Sequence, residues 1–293
     1  MKARLIAPIV LGVVVACLVP GAYGQPALLP RGQIKAVRVI GHVLVTRVTD
    51  KTPVALQNND ALAQGDVVTT AKNASVVLVF SNGSTVNLGQ ESKLAIDEFL
   101  QNPFGAEIKV GELKEEPSTS RTKLNLTYGE LVGSVKKLKG ASSFLVQTPV
   151  GAAGIRGTVF RLVYRPTGTG QAFFTLSTTA GEVIFQGTTG TPVVVGENKE
   201  VVVEVKIDDA TGAVQSVEVK SQEVPPADQQ IIEQQVTQVL ESLQTTTFTP
   251  PAPPESPPAE QKQATPENAP APVPPPPPAP ETPRTTPGDG QAG

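Results

Sequence analysis

The stretch Ser75-Val76-Val77-Leu78-Val79-Phe80-Ser81-Asn82-Gly83-Ser84-Thr85-Val86-Asn87-Leu88 decides the fold class. It holds two short Val-rich, β-branched runs whose residues alternate between two faces when extended. Between them Asn82-Gly83 accepts the positive φ angles of a tight two-residue turn, so the stretch reads as a β-hairpin. The same alternation runs outward through Lys35 to Val45 and through Thr85 to Ile96. Further on, Val201 to Ile207 and Ala213 to Val219 flank Asp208-Asp209-Ala210-Thr211-Gly212, which reads as a second hairpin with a longer loop. Residues 33–220 are therefore expected to be one all-β domain of short antiparallel strand pairs, solenoid-like or sandwich-like.

Helical periodicity first appears after Pro225-Pro226. Ile232, Val236, Val239 and Leu243 recur at spacings of four, three and four, which predicts a short amphipathic helix over 226–244 with one narrow apolar stripe. A cap on the sheet edge fits it better than a homotypic coiled coil, because about two heptads are too few. Seventeen of the 29 prolines lie between Pro250 and Pro287. Residues 245–293 are accordingly read as a disordered Pro-rich tail, able to act as a polyproline II spacer of ~3.1 Å per residue or to meet a proline-binding partner.

The opposite end reads as an export signal. Lys2 and Arg4 precede an apolar run from Leu5 to Val19, and Ala22-Tyr23-Gly24 offers small residues before a cut at Gln25, so residues 1–24 are taken as a signal peptide. The run is shorter than the ~20 residues of a membrane span and has no counterpart downstream, so no transmembrane segment is expected in the mature chain. Val14-Val15-Ala16-Cys17 also resembles a lipobox, which makes Cys17 the alternative point of cleavage and lipidation. The expected location is periplasmic or extracellular, with a lipid anchor through Cys17 as the alternative.

Composition narrows the chemistry. The chain has one Cys and one His, which excludes an internal disulfide framework and a multi-histidine metal site. Its net charge is −3, and losing Lys2 and Arg4 with the signal takes it to −5. Nucleic acid and anionic membranes are therefore not expected as main partners. The basic run Lys136-Lys137-Leu138-Lys139 reads as a solvated strand end or turn, with an anion contact as the lesser alternative.

Several pieces in fixed order resemble the FecR protein domain. They are Gly65-Asp66-Val67-Val68-Thr69-Thr70, the 75–88 stretch, Ser92 to Ile96, Leu131 to Val135, Phe144 to Pro149, Gly154-Ile155-Arg156-Gly157-Thr158-Val159-Phe160, Gly181-Glu182-Val183 and Gly196-Glu197-Asn198. Together they span roughly Ile34 to Val205. Gly65, Asp66, Asn82, Gly83, Thr148, Pro149, Arg156, Gly157, Thr158 and Phe160 are the motif positions, and their expected role is structural. The resemblance implies an exported module for protein contact in the bacterial cell envelope. FecR-type sigma regulators also carry a cytoplasmic anti-sigma segment and a membrane helix, which this sequence is expected to lack, so the fitting analogy is to stand-alone exported FecR-domain proteins.

Catalysis finds little support in the residues. His42 follows Gly41 in a strand pattern and reads as a structural or surface residue. Carboxylate pairs drawn from Asp66, Asp97, Glu98, Glu107 and Glu112 carry no distinguishing spacing. Gly151 to Gly157 lacks the Lys-Ser/Thr and following helix of a phosphate loop and is expected to serve strand corners, with Arg156 paired to a buried carboxylate such as Asp66. Asp208-Asp209 is too little for a calcium loop. No enzyme activity, cofactor or metal is expected. The function read from the sequence is a non-catalytic binding or scaffold module for another envelope protein. A cell-wall or glycan binding protein is the alternative, against which 4% aromatics and no Trp count, and a sensor component of envelope signalling ranks below it.

Overall fold

A computed structural model describes residues 30–167, 171–188, 190–207 and 214–250. The signal, Cys17, the Asp208 to Gly212 loop and the tail beyond Pro250 lie outside the described residues. Eight strands come first: β1 Ile34–Ile40, β2 Val43–Thr46, β3 Val54–Ala55, β4 Ala61–Leu62, β5 Val67–Thr70, β6 Ser75–Phe80, β7 Thr85–Leu88 and β8 Ser92–Gln101. β9 Ile108–Lys109 and a 3-10 turn at Val110–Glu112 follow. Then come β10 Ser120–Ser134, β11 Ser143–Thr148, β12 Gly151–Pro166, β13 Gln171–Gly187, β14 Val193–Val195, β15 Lys199–Ile207 and β16 Val214–Glu223. Helix α1 Pro226–Leu243 and strand β17 Thr247–Phe248 close the described chain.

Fifteen of these strands form one hydrogen-bonded sheet that folds over on itself. One layer, A, runs β4-β1-β6-β7, then the second halves of β10 and β12, the first half of β13, and β15-β16. The other layer, B, runs β3-β2-β5-β8, then the first halves of β10 and β12 with β11 between them, the second half of β13, and β14. The all-β expectation holds, although β10, β12 and β13 are 15, 16 and 17 residues long rather than short. Each serves both layers, so the hydrophobic pattern of either half resembles a short strand.

The passage between layers happens at residues with left-handed backbone. Gly129 (φ 114°), Gly157 (φ 67°) and Gly181 (φ 79°) mark it in β10, β12 and β13. β10 and β11 form a parallel pair, which ordinarily needs a long crossover. Here the second half of β10 is itself most of that crossover, because it has already moved to layer A when the chain turns at Val135 to Ser142.

A single apolar core fills the space between the layers, joining Val76, Leu78, Phe80, Val86 and Leu131 of layer A to Val68, Leu94, Ile96, Phe144 and Val146 of layer B. Phe80 contacts Phe99 edge-on at 5.1 Å and Phe144 at 6.3 Å, and Phe174 stacks on Phe185 at 4.8 Å. Each pair ties one layer to the other, and each is worth roughly 1 kcal/mol beyond its burial.

α1 forms where its stripe is expected, with Pro226 at its first turn, where a missing N–H costs nothing. It lies across the outer face of layer A instead of capping the edge. Val239 and Leu243 pack with Val37, Val77 and Val79, while Ile232 packs with Val132 and Val224. The sequence shows why: β6 is apolar at consecutive positions 76–80 because its core face and its helix face are both buried. Order also continues past the expected start of the tail at residue 245. Phe248 is fully buried, β17 pairs with β9, and the Lys35 Nζ donates to the Thr247 carbonyl at 2.7 Å while lying 5.1 Å from the Phe248 ring.

Candidate binding surface

Most of the motif residues stabilise corners. Gly65 has φ 94°, and a β-carbon there would fall 2.9 Å from Val48. The next residue, Asp66, is buried and accepts from the Arg47 guanidinium at 2.7 Å, from the Ala63 N–H at 2.9 Å and from the Val48 N–H at 3.3 Å. Arg156 is therefore not its partner. The Arg156 guanidinium is exposed on layer B and donates to the carbonyls of Leu138 and Lys139 at 3.3 and 3.2 Å. Arg47 wins the pairing because it sits in the chain segment directly over the Gly65-Asp66 turn.

The 75–88 hairpin forms, but with a three-residue loop. Gly83 N–H donates to Phe80 O and Phe80 N–H to Ser84 O, both at 2.9 Å, and only Gly83 (φ 87°) is left-handed. Asn82 is needed for its side chain. Fully buried, it accepts from Ser84 N–H at 3.0 Å and donates to Ser120 Oγ at 3.1 Å. Ser120 in turn donates to Glu116 at 2.7 Å, a buried carboxylate that also accepts from the Lys139 N–H at 2.5 Å and from the Ser142 hydroxyl. The sequence reading missed Glu116, because Lys-Glu-Glu-Pro-Ser has the composition of a solvated loop.

Thr148 Oγ donates to Gly151 O at 2.9 Å and closes the Thr148-Pro149 turn between β11 and β12. Gly157 forms a bulge at the register shift in β12. Thr158 is buried, with a hydroxyl that has no partner among the described residues. Phe160 is fully buried and lies over Gly133, where a β-carbon would come within 2.3 Å of the ring. These positions bear on the fold. They bring no reactive groups together, and among the described residues no three His, Cys, Asp or Glu are placed to hold a metal. His42 is exposed in the β1–β2 turn, where its carbonyl accepts from Ala71.

The outer face of layer B differs from that of layer A, since no described element packs over its middle. Leu145, Gly154, Ile184 and Val194 stand opposite one another across β11, β12, β13 and β14. Ile184 is 49% and Val194 56% exposed. Gly154 is bare for no local reason, because a β-carbon there would meet only the Ile184 carbonyl, 3.8 Å away. Next to this row is a shallow depression of about 600 Å³, lined by Asn125, Gln147, Ala152 and Gln186 among others. The cationic residues Arg121, Lys137, Lys139 and Arg156 lie on the other side of the row, and Lys123 ends the row itself, opposite Leu145. Lys136, a neighbour of that group, is partly buried beside the Gly83 turn, and desolvation pulls its ammonium below the usual lysine value.

The fold defines a two-layer β module with one face roofed by its own helix. Residues 66–184, from the turn before β5 into β13, match the family model described as FecR protein. The match falls within the 34–205 span of the sequence resemblance. No curated protein matches the chain. Two crystal structures of a "putative anti-sigma factor" from Parabacteroides distasonis ATCC 8503 are similar at 11% identity. Their TM-scores are 0.39 and 0.38, with 56% of this chain and 64% and 63% of those chains covered, so the alignment spans less than two thirds of their length. No helix among the described residues is long and apolar enough to cross a membrane.

Proposed function

We propose that the protein is a non-catalytic, exported binding module of the bacterial cell envelope that contacts another envelope protein through the outer face of layer B. The observation that carries this reading is the asymmetry of the two outer faces. Layer A spends its outward Val37, Val77, Val79 and Val132 on α1 and β17 and leaves Phe173 exposed on β13, whereas layer B turns the neighbouring Ile184 and Val194 toward solvent, with half-buried Leu145 across Gly154 from them. Contiguous exposed apolar residues with a polar rim are the usual mark of a protein contact site. The FecR match is consistent with a module that works by contact, and the export reading rests on the first 24 residues.

Crosslinking of a tagged full-length chain in whole cells, followed by capture and mass spectrometry before and after wall digestion, tests the proposal. A reproducible protein adduct that survives wall digestion is the expected result. Recovery of wall fragments alone, with the purified protein retained on isolated peptidoglycan, would replace this function with glycan binding.

A further inference from the structure

The partner's chemistry follows from what lies beside the apolar row, and this inference rests on the protein-binding reading above. Arg121 stands opposite Ser143 on β11, and Arg156 is one residue along β12 from Ile155, the partner of Phe144. The two arginines therefore flank one strand, roughly 10 Å apart by the spacing of neighbouring strands. Lys123 stands opposite Leu145 in the next row. Lys137 and Lys139 join the group from the loop that enters β11. That loop is held firmly: Glu116 accepts the Lys139 N–H, Arg156 donates to the Leu138 and Lys139 carbonyls, and the Leu138 side chain is buried in the core.

Carboxylates offset this group only in part. Glu98 stands opposite Lys123 and reaches Arg121 at 4.0 Å through an Oε1 that is buried. Glu182 stands opposite Arg156, and Glu115 bridges to Lys137 through the backbone, yet neither forms an ion pair there. Lys123, Lys137, Lys139 and Arg156 have no ion-pair partner among the described residues. In a chain of net charge −3, five cations against Glu98, Glu115, Glu182 and the buried Glu116 leave this rim a small cationic excess, opposite in sign to the whole. Such a rim steers and selects an anionic partner.

We infer that layer B takes a protein segment presenting aliphatic side chains along one edge and Asp or Glu along the other. The aliphatic edge would lie on Leu145, Gly154, Ile184 and Val194, and the acidic edge on Arg121, Lys137, Lys139 and Arg156, with Lys123 at the end of the aliphatic row. A polyanion such as an acidic wall polymer would use the cations but gain nothing from the adjoining apolar row, so the paired rows favour protein.

A photo-crosslinking amino acid at the exposed Ser143, in the full chain expressed in its own cells, tests this, with a second at Leu240 on the outward side of α1. An adduct from Ser143 is expected, on a partner peptide containing Asp or Glu among aliphatic residues. Its yield should fall at least about tenfold in Lys137→Glu/Lys139→Glu and persist in Lys137→Arg/Lys139→Arg. Raising salt to about 0.5 M should lower the yield in the unsubstituted protein too, which keeps the test independent of any variant's folding. A Ser143 adduct on a basic peptide or on glycan, or one indifferent to both charge reversal and salt, would overturn the inference. An adduct from Leu240 alone would also overturn it while leaving the protein-binding function standing. No protein adduct from either position would overturn both.

Discussion

Gly157 and Gly181 sit on neighbouring strands where both pass from one layer to the other, and a β-carbon on Gly181 would lie 2.8 Å from the Gly157 carbonyl and 2.7 Å from Thr158 Cγ2. The corner therefore needs a bare backbone as well as the φ of 79°. Gly181→Ala is expected to cost about 2–4 kcal/mol, the sum of left-handed strain and the clash. Gly154→Ala, with open space and no left-handed φ, is expected to change stability by less than about 0.5 kcal/mol. Urea unfolding of the two variants separates a corner glycine from a surface one.

Asp66 answers three donors from a buried position. Asp66→Ala strands the Ala63 and Val48 N–H groups and frees Arg47, so a loss of about 3 kcal/mol is expected. Arg156→Ala, which removes only bonds from an exposed guanidinium to carbonyls, is expected to cost less than about 1.5 kcal/mol. Equal losses in thermal or urea unfolding would contradict the assignment of Arg47 as the partner of Asp66.

The role of Asn82 can be separated from backbone permissiveness. If φ mattered, glycine would serve there as well as asparagine; because the side chain bonds Ser84 and Ser120, Asn82→Gly and Asn82→Ala are both expected to lose about 1–3 kcal/mol. A neutral Asn82→Gly would show that the buried amide contributes nothing.

Two truncations locate the end of the folded unit. A chain ending at Pro250 is expected to melt like the full chain. One ending at Gln244 loses Phe248 and its contact with Lys35, and a drop of about 3–5 kcal/mol is expected from removing a buried phenylalanine. Matching melting curves for the two truncations would mean that β17 is not part of the stable fold.

Lys136 gives a pH signature. Its folded-state pKa lies below the ordinary 10.5 because burial disfavours the charged form. The folded state therefore carries a penalty while Lys136 is protonated, at neutral pH, and the penalty fades as pH rises through the folded pKa toward 10.5. Lys136→Met, which keeps the stem against Gly83, is expected to unfold at higher denaturant than the unsubstituted protein at pH 7, with the gap closing toward pH 10.5. A gap independent of pH would assign the difference to packing.

Strand positions, the first hairpin and the helix were legible because each follows a local period. The crossing of β10, β12 and β13 between layers was not, since Gly129, Gly157 and Gly181 look like ordinary punctuation in a strand pattern and their partners lie far away in sequence. The apolar run 76–80 held the clue to the helix on layer A, as both of its faces are apolar. The open row of layer B was hidden for the opposite reason: Leu145, Ile184 and Val194 each stand beside apolar core residues in sequence, Phe144 and Val146, Val183 and Phe185, and Val195, so an outward aliphatic residue resembles an inward one and only the register assigns them to solvent.

The uncovered face of layer B is the proposed working surface, and Ile184→Lys/Val194→Lys places two charges in the middle of it. Both side chains are about half exposed, so the double variant is expected to melt with the unsubstituted protein while the whole-cell crosslinked adduct falls at least about tenfold. Unchanged adduct yield in a normally folded double variant would contradict the claim.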